Sequence, residues 1–590
     1  MNQKQTTWNL GLLYKNENDP QIEKDLLLIE KSCTAFEKKY KNKDFTASAS
    51  KLLTALKDRE ELRMKMSGSK PWWYMALRAD INSKDEKANS FATKFSQRIT
   101  NATNKTAFFS LTVGKIPLSK QLAYLKETSL MDFRYSLQRN FNSAKYNLSE
   151  GEEQVVDLLS QTSYSMWVDG FNKVLSQQMI VHKGKSIPLS KALGILMDLP
   201  LKERRVLSKK INEKLIENSD FPEAEINAVY NYKKILDIRR GFKHPYSSTV
   251  LGHENDEKTV MNLVNLVTKN FKISHRFFKL HSKLLKEKKL KMEDRAVKIG
   301  EIKRKFDFPS SVVLVRNAFS KIDPKFANML SEFVNNRQID VYPRKGKKGG
   351  GYCWGRAKHP TFILLNHNDD IRSLETLAHE MGHAIHTELS KSQPPRYSHY
   401  STATAEVAST FFANVAVAEV EKQLSINENI ILLHNKILGD ISTIFRQIAC
   451  FNFELELHNT IRERGELPKA GIASLMTKHL KSYVGDAMEV TSDDGYAFVY
   501  WSHIRRFFYV YTYAYGQLIS RALFEKWQQD KSYSKKIEQF LSAGRSMSPT
   551  DIFRSIGIDI TNPEFFEIGL KSIEKDISKL EKLAKKAGMI

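Results

Sequence analysis

The sequence predicts a mainly α-helical protein with one small β element, and three observations carry that reading. Glycine and proline are sparse, at 26 and 16 of 590 residues. Long segments repeat apolar residues every three or four positions, the pattern of a helix with one buried face. Residues 339–366 break the pattern: Val, Tyr, Phe and Ile alternate there, with Gly349-Gly350-Gly351 in the middle. That reads as two short strands around a mobile glycine turn. A chain of this length buries a large core and divides into two or three lobes.

Taken in order, residues 23–57 read as helix, with Leu26, Leu27, Ile29, Cys33 and Phe36 as its inner face. Further helical patterns cover 84–110 and 117–139. At Ser149-Glu150-Gly151-Glu152 a capping box opens another helix, because a serine and a glutamate three residues on can satisfy each other's backbone N–H. Pro188, Pro200 and Pro222 punctuate the next stretch and place a boundary near 195–205. The expected division is therefore 1–115, 116–200 and 201–590, with the chemistry in the last part. Helical segments follow at 225–239, 257–286 and 323–337. A phosphate-cradling role for the glycine run is disfavoured, since neither a GK[ST] nor a helix start follows it. An exposed strand there could instead pair with an extended peptide through backbone hydrogen bonds.

Directly after it comes IRSLETLAHEMGHAIHTELS, residues 371–390. Ile371, Leu374, Ala378, Met381 and Ile385 form one apolar face. His379 and His383 fall together on another, one turn apart, where two imidazoles can bind one metal ion with little strain. This is the H-E-x-x-H pattern of a zinc site, with Glu380 placed to reach a water on the metal. His386, seven residues after His379, is displaced by about 10 Å along the axis, too far to share the ion, and reads as a hydrogen-bonding neighbour. The metzincin pattern is excluded because Leu389 stands where its third histidine would be. A third ligand is still needed. Glu388 rotates off the ligand face, whereas Glu406 is the first acid in a second apolar helix, TATAEVASTFFANVAVAEVE, and is the expected ligand. Pro394 and Pro395 let that helix fold back along the first.

The net charge of +25 is spread over 92 basic and 67 acidic residues interleaved along the chain. That describes solvated helix faces rather than a nucleic-acid stripe, so no nucleic-acid partner is expected. Cys33, Cys353 and Cys450 are odd in number and far apart, which fits a reducing compartment. The first residues lack a signal-peptide pattern and no window holds 18 apolar residues, so no membrane partner and a cytoplasmic location are expected.

HEMGHAIH followed by AEVAST resembles the oligoendopeptidase F family, relatives of thimet oligopeptidase among the zinc peptidases. The resemblance extends to the opening WNLGLLY, to PRKGKKGGGYC at 343–353, HPTFILLNHN at 359–368 and HIRRFFYVYTYAYG at 503–516. It implies one zinc ion per chain on His379, His383 and Glu406, with Glu380 as catalytic carboxylate. It also implies a segment 116–200 that is the family's N-terminal helical domain, a catalytic domain over 201–590, and a two-lobed protein whose deep central cleft admits oligopeptides. Substrate contacts are expected from Gly349, Gly350 and Gly351. The chain departs from the family at Phe412-Ala413-Asn414 and at Ile504, Arg505 and Arg506, which bears on the surroundings of the ligands.

His503 and a tyrosine of the YVYTY run would face the substrate. Read as a helix, this segment puts His503 and Tyr511 on one face and pairs Tyr509 with Tyr513. Catalytic donors are then expected from His503, Tyr509 and Tyr511, with Tyr513 as a substrate contact. The expected activity is zinc-dependent cleavage of internal bonds in short peptides; the alternative is a catalytically inactive peptide-binding relative. Monomer and homodimer both stay open.

Overall fold

Short-range chemistry starts most of the helices. Pro20–Tyr40 opens on Asp19, whose carboxylate accepts from the Gln21 N–H, with Pro20 in the first turn. Its inner face is Ile22, Leu26, Ile29, Cys33, Phe36 and Tyr40, whereas Leu27 is exposed. The capping box at Ser149 and Glu152 is present and opens Glu150–Ser160. The computed structural model describes residues 6–66 and 69–590. They are mainly helical, with three small sheets among them.

Several expected helices are shorter than their apolar periodicity suggests. The stretch 23–57 is two helices, Pro20–Tyr40 and Ala49–Met66. Asn42 takes a left-handed φ of 60° between them, and Phe45 turns inward to stack on Phe109 at 4.9 Å. Residues 257–286 divide in the same way into Glu257–Lys269 and Lys272–Leu284. A hairpin that periodicity did not reveal pairs Met179–His182 with Lys185–Pro188.

The β element is a sheet of three strands rather than two. His359–Leu364 lies in the middle, with Ile339–Asp340 parallel on one side and Tyr352–Arg356 antiparallel on the other. Its hairpin turn is at residues 357–358, and the three glycines lie in the loop between Ile339–Asp340 and Tyr352–Arg356, two strands that do not pair with each other. Tyr352–Arg356 is an edge strand.

Two compact units are assembled from interleaved segments. One comprises Met1–Lys145, Lys303–Lys422 and Lys526–Ile558; the other comprises Tyr146–Ile302, Gln423–Glu525 and Asp559–Ile590. The first unit holds the sheet of three strands and the H-E-x-x-H helix. The opening segment belongs to it for a clear reason: Trp8 Nε1 donates to Ile363 O on the middle strand at 2.7 Å, and Val341 N donates to Thr6 O at 2.9 Å.

Candidate active site

The helix Ile371–Ser390 has the bounds its sequence suggests. Asp370 caps it, accepting from the Ser373 N–H at 2.7 Å, and Leu374, Leu377, Ala378, Met381 and Ile385 are wholly buried. That apolar stripe fixes the rotation of the helix, and so sets His379 and His383 together on the neighbouring face. Their rings lie 5.0 Å apart and nearly perpendicular.

The helix Thr402–Glu421 packs alongside, and Gly382 decides how closely. A Cβ at Gly382 would sit 2.7 Å from the Ser409 Cα and 3.2 Å from the Ala408 carbonyl oxygen. Only a residue without a side chain allows the two backbones this close. The approach carries Glu406 to the histidines: its Oε2 is 3.4 Å from His379 Nε2 and 3.8 Å from His383 Nε2. Gly382→Ala should therefore lower stability by about 1–3 kcal/mol through overpacking and weaken metal binding as well. Thermal unfolding and a zinc titration would check this; unchanged values in both would mean the helices shift freely.

Among the described residues, His379, His383 and Glu406 are the group whose ligand atoms could hold a metal ion, all within 4.8 Å of one another. A tetrahedral ion about 2.1 Å from each ligand spaces neighbouring ligand atoms by about 3.4 Å, close to the separations found. Two imidazoles and one carboxylate are also the donor set that suits zinc. Burial works against ionisation of Glu406, but the His379 hydrogen bond and the nearby His383 outweigh it and hold the carboxyl down at about 2. Burial, reinforced by His379, pushes His383 down to about 4 and keeps it a neutral donor. Glu388 lies elsewhere, paired with Lys391 at 2.7 Å.

Glu380 is buried, and its Oε2 has no hydrogen-bond partner among the described residues. Burial pushes this carboxyl up to about 7. Gly351 lies against it: a Cβ there would come within 3.2 Å of Glu380 Oε1 and 3.1 Å of Thr376 Cγ2. Gly349 and Gly350 face open space, and Asn366 pins the run by donating to the carbonyls of Lys348 and Gly350 at 2.9 and 2.7 Å. Three of the four cations of PRKGKK are used internally. Arg344 and Lys347 both bind the buried Asp340, and Lys348 reaches Asp80.

His386 is buried and stacks on Tyr400 with ring centroids 3.8 Å apart, while its Nδ1 makes no hydrogen bond among the described residues. It is packed, where a hydrogen-bonding neighbour was expected. Burial pushes it down to about 3.

In the second unit, His503 and Tyr511 do not share a helix. His503 lies in a short 3-10 turn, Ser502–Arg506, and the α-helix begins only at Tyr511. Between them Phe507 and Phe508 both take positive φ, 42° and 61°. This costly bend is held by Glu454 Oε1, which accepts from the Phe508 N–H at 2.9 Å, and by Thr249 Oγ1, which donates to Phe507 O at 2.8 Å. His503 Nε2 meets the Tyr513 hydroxyl at 3.2 Å, and Tyr509 packs edge-on against Tyr513. Tyr511 is fully buried, with its hydroxyl 3.1 Å from His253 Nδ1. In this arrangement Tyr511 is a core residue, and Tyr513 is the tyrosine that meets His503.

Comparison with known proteins adds a second line of evidence. The profile of peptidase family M3 matches residues 233–572, more than half of the chain. The chain belongs to peptidase family M3. An oligoendopeptidase F homologue of Borreliella burgdorferi is 23% identical over 98% of both chains. Oligopeptidase PepF of Bacillus subtilis is 30% identical over 58% of this chain, a match that spans about half of PepF. Among solved structures, oligoendopeptidase F of Enterococcus faecium aligns with a TM-score of 0.71 at 17% identity, covering 96% of this chain and 99% of the other. The resemblance to the oligoendopeptidase F family thus holds along the whole M3 chain. It is a peptidase, and peptides are its substrates. No helix among the described residues is long and apolar enough to cross a membrane.

Phe412 is fully buried between Phe319 and Phe326, and its Cβ would stand 3.1 Å from a Cβ at Gly382. In this M3 peptidase it fills the joint between the helices that carry His379, His383 and Glu406. No motif announces Phe412 or Gly382 in that role; the clue is a lone glycine inside a strongly periodic helix.

Proposed function

We propose that this M3 peptidase is a zinc-dependent endopeptidase that cuts internal bonds of short oligopeptides. The observation that carries the reading is the convergence of His379, His383 and Glu406 beside the buried carboxyl of Glu380. One zinc ion per chain would be held by those three residues, and when bound it supplies Lewis acidity that acidifies water and polarises a carbonyl. Glu380 takes a proton from the attacking water and later delivers one to the leaving amine. Its raised pKa suits both tasks, since it neither holds nor releases a proton too firmly near neutral pH. The edge strand Tyr352–Arg356, entered through Gly349–Gly351, aligns an extended peptide by backbone hydrogen bonds, which favours short flexible chains over folded proteins. Three free cysteines fit a cytoplasmic location.

The test is zinc content together with mass spectrometry of the products from a mixed peptide library. One zinc per chain and cleavage at internal bonds are expected. Release of single terminal residues would overturn the endopeptidase reading, and zinc without turnover would leave a peptide-binding protein.

Family membership and the His503–Tyr513 hydrogen bond support a further part of the reading: this pair donates to the oxygen that gains charge as the peptide carbonyl is attacked. Such a donor acts mainly in the transition state, so His503→Ala should lower kcat by about 10²- to 10³-fold with little change in KM. Steady-state kinetics would check it, and a change in KM alone would make His503 a binding residue instead. Tyr511→Phe should leave kcat near normal and lower thermal stability.

A further inference from the structure

Away from the zinc ligands, the first unit contains a cavity of about 300 Å³ with an unusual lining. Arg63, Arg139, Arg356, Arg396 and Arg545 face it together with His399, and no carboxylate is among its lining residues. These residues come from five distant parts of the chain and are brought together only by the fold. Arg396 is bound to Glu60. Arg63 makes no hydrogen bond or ion pair among the described residues, and Arg356 donates only to the carbonyl of Gly355. Burial and mutual repulsion pull several of the group down: Arg545 falls to about 10, and His399, beside Arg356 and Arg63, falls to about 4. Gathering like charges in a part-buried pocket costs stability, and such arrangements mark sites that bind the opposite charge. Guanidinium groups moreover match carboxylates by paired, parallel hydrogen bonds.

The position of the pocket names its occupant. Arg356 ends the edge strand whose entry, Gly351, touches Glu380. Arg356 stands five positions after Gly351, about 16 Å at 3.3 Å per residue. An extended peptide paired with this strand covers the same distance in four or five residues. Arg63 and His399 are exposed, so the pocket can be reached from solvent.

We propose that the arginine pocket is a subsite that takes a carboxylate of the peptide substrate, an acidic side chain or the chain terminus, four or five residues from the cleaved bond. The proposal rests on the peptidase reading above for its ligand, but its binding can be measured apart from cleavage. Peptides that differ only by Glu or Gln, placed two to six residues to either side of the cut bond, would be titrated against zinc-loaded Glu380→Gln enzyme by fluorescence anisotropy. The same pairs would be cleaved by the zinc-loaded wild type.

Glu at the fourth or fifth position, on one side only, should bind roughly tenfold tighter than Gln, and the gap should shrink in high salt. Introducing Arg63→Gln should remove most of the gap, and Arg63→Lys should keep part of it. Neither should lower the melting temperature, because burial and the nearby Arg139 and Arg396 charges outweigh the attraction of Glu60 for the Arg63 guanidinium. An equal affinity of Glu and Gln peptides at every position would overturn the proposal, as would a gap that survives in both Arg63→Gln and Arg356→Gln. Inorganic phosphate binding to the pocket without any preference for Glu peptides would also overturn it, leaving a site for free anions. If neither peptide is cut but the Arg63-dependent gap persists, the subsite stands and the peptidase reading fails.

Discussion

Replacing Glu380 by Gln is expected to leave zinc content and thermal stability close to wild type while kcat falls by about 10²- to 10⁴-fold, the range for loss of a general base. The amide is nearly isosteric with the carboxyl, so Gly351, which lies against this side chain, loses no contact. Glu380 is also outside the group of His379, His383 and Glu406 that could hold a metal ion. What disappears is a buried carboxyl pushed up to about 7, which in the proposed mechanism accepts a proton from water and returns one to the leaving amine. A glutamine can do neither. Single-turnover kinetics on a peptide of known cleavage site, with zinc measured on the same preparation, would read the effect. Turnover within a factor of a few of wild type would show that another group activates the water.

The site was legible in sequence where the chemistry is local. Spacing within one helix puts His379 and His383 on the same face, and the apolar stripe with the Asp370 cap fixes the helix bounds. Glu406 could be chosen because few acids stand in its apolar helix, although nothing in the sequence states how near that helix comes. Gly382 sets the approach through a contact with Ser409, 27 positions away, and such contacts leave no periodic trace.

Where tertiary contacts overrode local pattern, the sequence misled. The aromatic spacing of 503–516 suits a helix, yet Glu454 captures the Phe508 N–H from 54 residues away. That holds Phe507 and Phe508 in a left-handed bend that their own preferences oppose. The bend takes Tyr511 into the core and leaves Tyr513 beside His503. The arginine pocket was invisible for a related reason: its members stand at 63, 139, 356, 396 and 545, with no spacing in common.

Glu406→Gln should cut zinc affinity far more than Glu388→Gln. Both substitutions remove one negative charge from the neighbourhood of the ligand-bearing helices, so a general electrostatic effect would weaken the two proteins alike. Their positions separate them. Glu406 Oε2 lies within 4 Å of both histidine Nε2 atoms, whereas Glu388 is occupied by Lys391. An amide oxygen is a poor zinc ligand and brings no charge to balance the ion. Loss of this ligand should exceed the 10- to 100-fold drop typical of a residue that merely supports one. Because His379 and His383 hold the Glu406 carboxyl at about 2, its loss should also lower the stability of the metal-free protein near neutral pH, and that of the zinc-loaded protein further. A competitive chelator titration with melting curves, with and without zinc, measures both quantities. Equal zinc affinity in the two variants would remove Glu406 from the site and leave the third ligand to be found elsewhere.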